Sequence, residues 1–488
     1  MKRGSPVPEQ ASVGRASPVV GQGSAPLLSP RGVGLSVLLA VLLCWPMLLV
    51  TAPLGYPDTE AYVQTGGRVV GLALDLLALP ATASAEMASI GHSDAQTEAA
   101  SARQLRSFVY SAFLYLGSLV PGGLVAATAM QTAATLLVLF AFVTATPRPI
   151  PAWPGVLFLV ALTPLPWIAS YAMPDILAAA VVLYYALIVA GVGHIGMRWR
   201  VALGAIASFA IVSHYGHLPL AFVLMVASIA VCTLRRCVTG AGLTLAALPF
   251  VLAVGVNVVA SAATLDGPSV APKRLPILLA RSIDDGPAAW HLAEACPRAG
   301  YAICSIFPGG VPSDITAFLW SDAGIARATA DELDAIRAEE ARILWNAFRA
   351  YPVEQLTSLF GNVGMQLVSI GTEEVNPLVA GSEAGRFVAT RQLRDGYPAL
   401  ALFDSVTFWA TLSAFGIAGL AWARGAMPQG AGWVLGLCLF GLFFNAAIFG
   451  GLSAPVDRYQ SRVAWVFPAL ALVCWHNRRN RTSGQENN

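Results

Sequence analysis

The sequence predicts an all-α polytopic membrane protein with about ten transmembrane helices, each needing about 20 mostly apolar residues. Three observations carry this. The 488 residues are 56% apolar and only 11% charged, whereas soluble domains hold roughly a quarter charged residues. Apolar runs of near-spanning length recur at 33–52, 123–145, 154–170, 175–193, 201–214, 217–234, 243–265, 401–422, 431–451 and 462–475. Basic residues gather in alternate connections, among them Arg148, Arg198, Arg200, Arg235, Arg236, Arg424, Arg478, Arg479 and Arg481. With both termini cytoplasmic, every inner segment then obeys the positive-inside rule. Only Glu9 and Glu486 among the acids fall on that side.

Residues 1–32 are rich in Pro, Ser, Gly and Val and are expected to form a disordered cytoplasmic tail. The run 33–52 exceeds a signal-peptide core and is read as an uncleaved first span. Directly after it stands Gly55-Tyr56-Pro57-Asp58-Thr59-Glu60-Ala61-Tyr62. Two carboxylates there sit just beyond a bilayer surface, where they could act on a membrane-delivered substrate. Pro57 starts the following segment, and Asp58 and Glu60 share a face only in extended backbone. Tyr56 and Tyr62 have rings suited to the interface. The plain alternative is a hydrated acidic loop.

The outer loop 53–121 holds two moderately apolar segments, 61–79 and 99–120, carrying Arg68, Asp75, Arg103 and Arg106. Their charges favour helices lying in the interface over helices crossing it. Spans two to seven follow with short connections and complete a unit over 33–265. Between spans three and four, Thr163-Pro164-Leu165-Pro166-Trp167 precedes Met173-Pro174-Asp175. Pro174 suits the start of a helix, and Asp175 complements its N-terminal dipole, as a capping carboxylate or as a functional one. His214 and His217, in the turn before span six, lack a local third ligand for a metal and are expected to meet lipid phosphate or carboxylate.

The outer segment 266–400 is the largest hydrophilic region. It contains an acidic-to-basic helix over 329–351, ordered as the macrodipole favours, and the only two cysteines expected in an oxidising compartment. Cys296 and Cys304 are therefore expected to form a disulfide. The apolar stretch 355–370 would invert the charge rule for Arg424 and the 476–488 tail if it crossed, so it is read as interfacial or packed on the bundle. Three spans over 401–475 close the chain. In their last outer turn, Arg458 and Arg462 share a helix face, either clamping a phosphate or snorkelling to headgroups.

No phosphate loop, dinucleotide fingerprint, HExxH or CxxC motif is present, and no basic-aromatic patch points to nucleic acid. On the acidic Asp58-Thr59-Glu60, the two loop helices, Pro-Leu-Pro-Trp with Met173-Pro174-Asp175, and the long outer segment after span seven, the chain resembles the GT-C superfamily of membrane glycosyltransferases. That superfamily includes the protein O-mannosyltransferases and the lipid A aminoarabinose transferases. The likeness covers 33–265, and the C-terminal part only through Arg458-Tyr459.

The resemblance implies transfer of a sugar from a polyprenyl phosphate to a lipid or protein glycan acceptor on the outer face of a bacterial inner membrane, with inversion. Asp58, aided by Glu60 or Asp175, would take the acceptor proton. Arg458, Arg462, His214, His217 and Tyr62 would line the substrate site. No cofactor is required, and a divalent metal ion is left open. The rival classes are a lipid-linked sugar flippase and a non-catalytic envelope-assembly subunit. A transporter would carry ionisable groups at mid-span, whereas here they gather at span ends.

Overall fold

The computed structural model describes residues 30–50, 53–76, 106–143, 158–159, 161–193, 195–264, 267–271, 274–371, 399–427 and 430–474. The expected tails, the residues between 77 and 105, and those between 372 and 398 lie outside that set. Among the described residues the chain is helical, with one isolated parallel bridge between Leu54 and Tyr171.

The first apolar run forms α1 (Pro30–Leu43) and α2 (Pro46–Val50), interrupted where Pro46 removes a backbone donor. Pro57 opens α3 (Pro57–Leu76), so the acidic stretch begins a helix and is not an extended loop. Ser107 caps α4 (Phe108–Leu119) by accepting from the Tyr110 N–H. α3 and α4 pack tightly because Gly66 lies on the Ser111 carbonyl and the Tyr115 side chain, where a Cβ would collide. α5 (Gly123–Val143) follows. The expected span 154–170 is only partly described; it bends at Thr163-Pro164 and resumes as the short buried α6 (Leu165–Ala169).

Every residue of α7 (Asp175–Ala190) is buried. A helix apolar on all sides belongs at the centre of a bundle, and α7 packs against α5, α8 (Met197–Val212), α9 (His217–Leu234) and α18 (Ala431–Ala446). Its first residue, Asp175, is thereby fixed on the bundle axis at one end. α10 (Gly240–Thr264) completes this half.

Within the expected outer segment, residues 274–350 form helices with a core of their own, including Leu279, Ile283, Phe318, Leu333, Ile336 and Ile343. They include α11 (Ile277–Asp284), α12 (Pro287–Ala299), α13 (Ala302–Ile306), α14 (Ile315–Trp320) and α15 (Ala330–Ala350). Pro287 starts α12, and Gly300 ends it with φ 63°, the left-handed conformation glycine adopts at least cost. Cys296 and Cys304 are disulfide-bonded across that turn, with Cα atoms 5.3 Å apart. Thr329 and Glu332 form a capping box at the start of α15.

α16 (Pro352–Val368) lies against α18 and the π-helical turn Ala447–Gly451 that extends it. Gly450 and Gly451 allow the close approach, since a Cβ on either would strike Gln366, Leu359 or Val363. Gln366 exchanges two hydrogen bonds with the Val456 backbone, at 2.8 and 3.0 Å. Gly371 does the same with the Ser461 hydroxyl, at 2.9 Å each. The chain continues in α17 (Ala399–Ala423) and ends in α19 (Asp457–Ala464) with helical residues to 474. Among the described residues five helices are long and apolar enough to cross a membrane: Gly123–Ala141, His217–Leu234, Gly240–Ala263, Leu402–Ala423 and Ala431–Gly451. The chain is a helical membrane protein, and the other expected spans are shorter or broken.

Candidate active site at one end of the bundle

Backbone pairing sets the first loop against the proline-rich segment. The Leu54 N–H donates to the Ser170 carbonyl and the Ala172 N–H to that of Leu54, both at 2.9 Å. The Thr59 hydroxyl donates to the Ala172 carbonyl at 3.2 Å and accepts from the Tyr56 N–H at 3.0 Å. Residues 54–60 are therefore held three residues from Asp175, although more than a hundred positions separate them in sequence.

Helix geometry then parts the two acids of the loop. In the first turn of α3, residues two apart point about 200° away from each other. Asp58 turns inward and pairs with Arg106, the residue just before the Ser107 cap. Glu60 is exposed and accepts from Gln64 at 3.1 Å, so it stands off the site that Asp58 faces. Tyr62 is buried, edge-on to Tyr110 at 5.0 Å between ring centres. Desolvation pushes its phenol above the ordinary range.

Asp175 is 3% exposed and faces both arginines of α19. Arg462 reaches its carboxylate at 3.2 Å through Nη1 and donates from Nη2 to Asn445 at 2.9 Å. The Arg458 Nε lies 3.8 Å from the same carboxylate oxygen. The Arg458 guanidinium covers the Tyr56 ring at 3.9 Å, and that of Arg462 covers Phe449 at 3.8 Å. Asn445 is itself fixed by donating to the Tyr459 carbonyl at 2.7 Å and to Gln460 at 3.1 Å. The π-turn that carries Phe449 is a helix irregularity often found beside functional groups.

Neither arginine snorkels at the surface; both point into the protein. Arg462, at 1% exposure, is a structural bridge more than a ligand-facing group. His217 is buried and His214 half-buried, so neither lies open to the headgroups. Their rings lie 5.1 Å apart beneath the cluster, with the Gly216 N–H donating to His214 Nδ1 at 3.0 Å. His217 Nδ1 meets the Ala210 carbonyl at 2.8 Å, which makes that nitrogen the donor. Among the described residues no group of three or more His, Cys, Asp or Glu side chains is arranged to hold a metal ion. A cavity of about 530 Å³ lined by Trp422, Met427, Trp433 and neighbouring glycines lies at the other end of the bundle, away from this cluster.

The cluster joins three guanidinium groups to two carboxylates, so it carries net positive charge. Its most open acid is Asp58, whose side chain is 24% exposed against 4% for Asp175. Three members escaped sequence reasoning as site residues. Arg106 was legible as a charge but not as a partner. Tyr56 was legible as an interface ring but not as the seat of a cation. Asn445 did carry a signal, being an amide inside an otherwise apolar run, since a polar group at that depth needs a partner. Compared with family models, with curated proteins and with solved structures, the chain matches none.

Proposed function

We propose that the chain is a membrane glycosyltransferase of the GT-C kind, transferring a sugar from a polyprenyl phosphate to a lipid or protein glycan acceptor, with inversion. The observation that supports this most directly is the meeting of a half-open carboxylate, Asp58, with a net positive cluster at one bundle end. The same arrangement would serve a substrate delivered by the membrane. In the proposed step the acceptor hydroxyl passes its proton to the Asp58 carboxylate through Oδ2, since Arg106 engages Oδ1. The hydroxyl oxygen forms the new bond to the anomeric carbon. The bond from that carbon to the phosphate oxygen breaks, and its electron pair stays on the phosphate. Arg458, with Arg106 beside it, supplies the positive field for that growing charge.

A second reading is favoured by one observation. Arg462 is bonded to Asp175 and Asn445 within the protein, as a non-catalytic scaffold would also require. An assay of the purified chain in detergent with radiolabelled polyprenyl-phosphate sugar separates the two. Transfer by the parent and its near loss in Asp58→Asn is expected. Parental transfer by a folded Asp58→Asn protein would remove the base assignment, and loss in Asp175→Asn alone would move it to Asp175.

A further inference from the structure

Two consecutive helices, joined at Tyr351 and Pro352, present opposite polarity to their surroundings. α15 is arranged for water: it buries Leu333, Ile336, Ile343 and Ala347 and exposes Asp331, Asp334, Arg342 and Arg349. α16 is arranged the other way round. Its inward face sets polar side chains, each with a partner, beside the buried Val363. Gln355 accepts from the Ser282 hydroxyl at 2.6 Å, Asn362 donates to the Asp285 carboxylate at 3.0 Å, and Gln366 is clamped to Val456. Its outward face holds Val353, Leu356, Phe360, Met365 and Val368, all exposed, with Phe360 at 66% and Val353 at 69%. Gly361 and Gly364 complete that face, and its one charge, Glu354, is in the first turn.

We infer that the chain passes from water into lipid at Tyr351–Pro352, and that the outward face of α16 docks into the acyl chains of the bilayer without crossing it. In water, an apolar face this long beside an inward polar face reverses the usual burial. In hydrocarbon the same arrangement is the favourable one. The neighbouring surface agrees, because α18 and the residue after its π-turn expose Leu439, Phe440, Phe443 and Leu452. The junction is marked by half-exposed Trp290 and Trp345, residues that prefer the headgroup level. The start of α16 is tied by Ser282 to α11, whose Arg281 donates to the Ser453 carbonyl at 3.3 Å, and its end is tied through Val456 and Ser461, so both ends meet the same end of the bundle. A helix anchored in this way does not span. Its lipid contact is thus built directly behind the Val456 backbone that leads into Arg458.

The inference needs no donor sugar and is independent of the proposed transfer activity. Nitroxide labels on cysteines introduced at Phe360 and Val368 would be read in proteoliposomes, in a background lacking the five free cysteines. Ala338 on α15 serves as the water reference and Val251 on α10 as the lipid reference. Collision with oxygen over collision with a water-soluble nickel chelate should match Val251 at both positions. A ratio matching Ala338 would overturn the inference. Exclusion of both reagents would also overturn it, since another protein surface would then cover the face. Retention of the Cys296–Cys304 disulfide and a monodisperse profile would show that the labelled proteins are folded.

Discussion

Asp58 and Asp175 both answer to arginine at the same end of the bundle, yet their surroundings differ. Asp58 is held by one guanidinium, Arg106, with the two side chains 24% and 13% exposed. Asp175 lies between Arg458 and Arg462 in a closed site, with the three side chains exposed by 4%, 6% and 1%. A buried ion pair whose members are fully engaged resists exchange of partners, because any release leaves a charge desolvated. A half-open pair can trade its partner for a substrate at little cost. Under the proposed function the difference favours chemistry at Asp58 and architecture at Asp175, and the most informative variants are those that could reverse that order.

The largest effect is expected at Asp58. Asp58→Asn should lower transfer by about 10² to 10⁴, the usual loss for a positioned base, while the protein stays folded, because the amide oxygen still accepts from Arg106. Equal loss of activity and of folded protein would place Asp58 with the scaffold. Asp175→Ala should behave in the opposite sense. It strands two buried guanidinium groups, a change that costs about 3–5 kcal/mol, and should show first in thermal unfolding of the protein in detergent. A folded Asp175→Ala protein of parental stability would mean that the network is not what holds α7 and α19 together.

The two arginines sharpen the contrast at a smaller scale. Arg462→Lys cannot reach Asp175 and Asn445 together, and the stranded Asn445 oxygen should cost about 1–3 kcal/mol. Arg458→Lys keeps the charge but loses the planar group stacked on Tyr56, and transfer should fall about tenfold or more. If the two variants exchanged these signatures, the phosphate-facing role would belong to Arg462. Glu60→Gln should leave both stability and transfer nearly unchanged, since Glu60 meets only Gln64 on an exposed face.

The grouping of Asp58, Asp175, Arg458 and Arg462 at one end of the molecule was legible because each stands at the edge of an apolar run. Which of them touch was not, because contact depends on the bundle centre. α7 is apolar on every side, and periodicity cannot orient such a helix or reveal that it carries Asp175 onto the axis. Asp58 and Glu60 were expected to share a face only in extended backbone; Pro57 begins a helix, and helical spacing sends the two acids apart. Within the outer segment 266–400 the core over 274–350 was not legible, because α11 to α14 are mixed in composition and their apolar residues meet only once they assemble with α15. The helix over 329–351 was recoverable from its charge order, and its observed bounds, Ala330–Ala350, differ by one residue at each end.

A carboxylate contact at the surface of the helical domain sets the baseline for the part-buried Asp58 and the buried Asp175. Glu332 accepts from the Thr329 N–H at 2.8 Å and from the Thr329 hydroxyl at 3.0 Å, while its own N–H donates back to that hydroxyl. The Thr329 backbone N–H, and then the hydroxyl, hold the Glu332 carboxyl below its usual range. A carboxyl depressed in the folded state binds protons more readily once unfolded. Its contribution is therefore complete above the unfolded value of about 4.3 and is lost as the pH falls through the lower, folded one. Thr329→Ala removes the hydroxyl's part of the cap and should lower the unfolding midpoint at pH 7 by about 1 °C in a chain of 488 residues. The gap between variant and parent should narrow on acidification below about pH 4. A gap that stays constant down to pH 3 would mean that the hydroxyl acts on the backbone alone. In that case the Glu332 carboxylate rests on the Thr329 N–H alone, a contact that Thr329→Ala leaves in place.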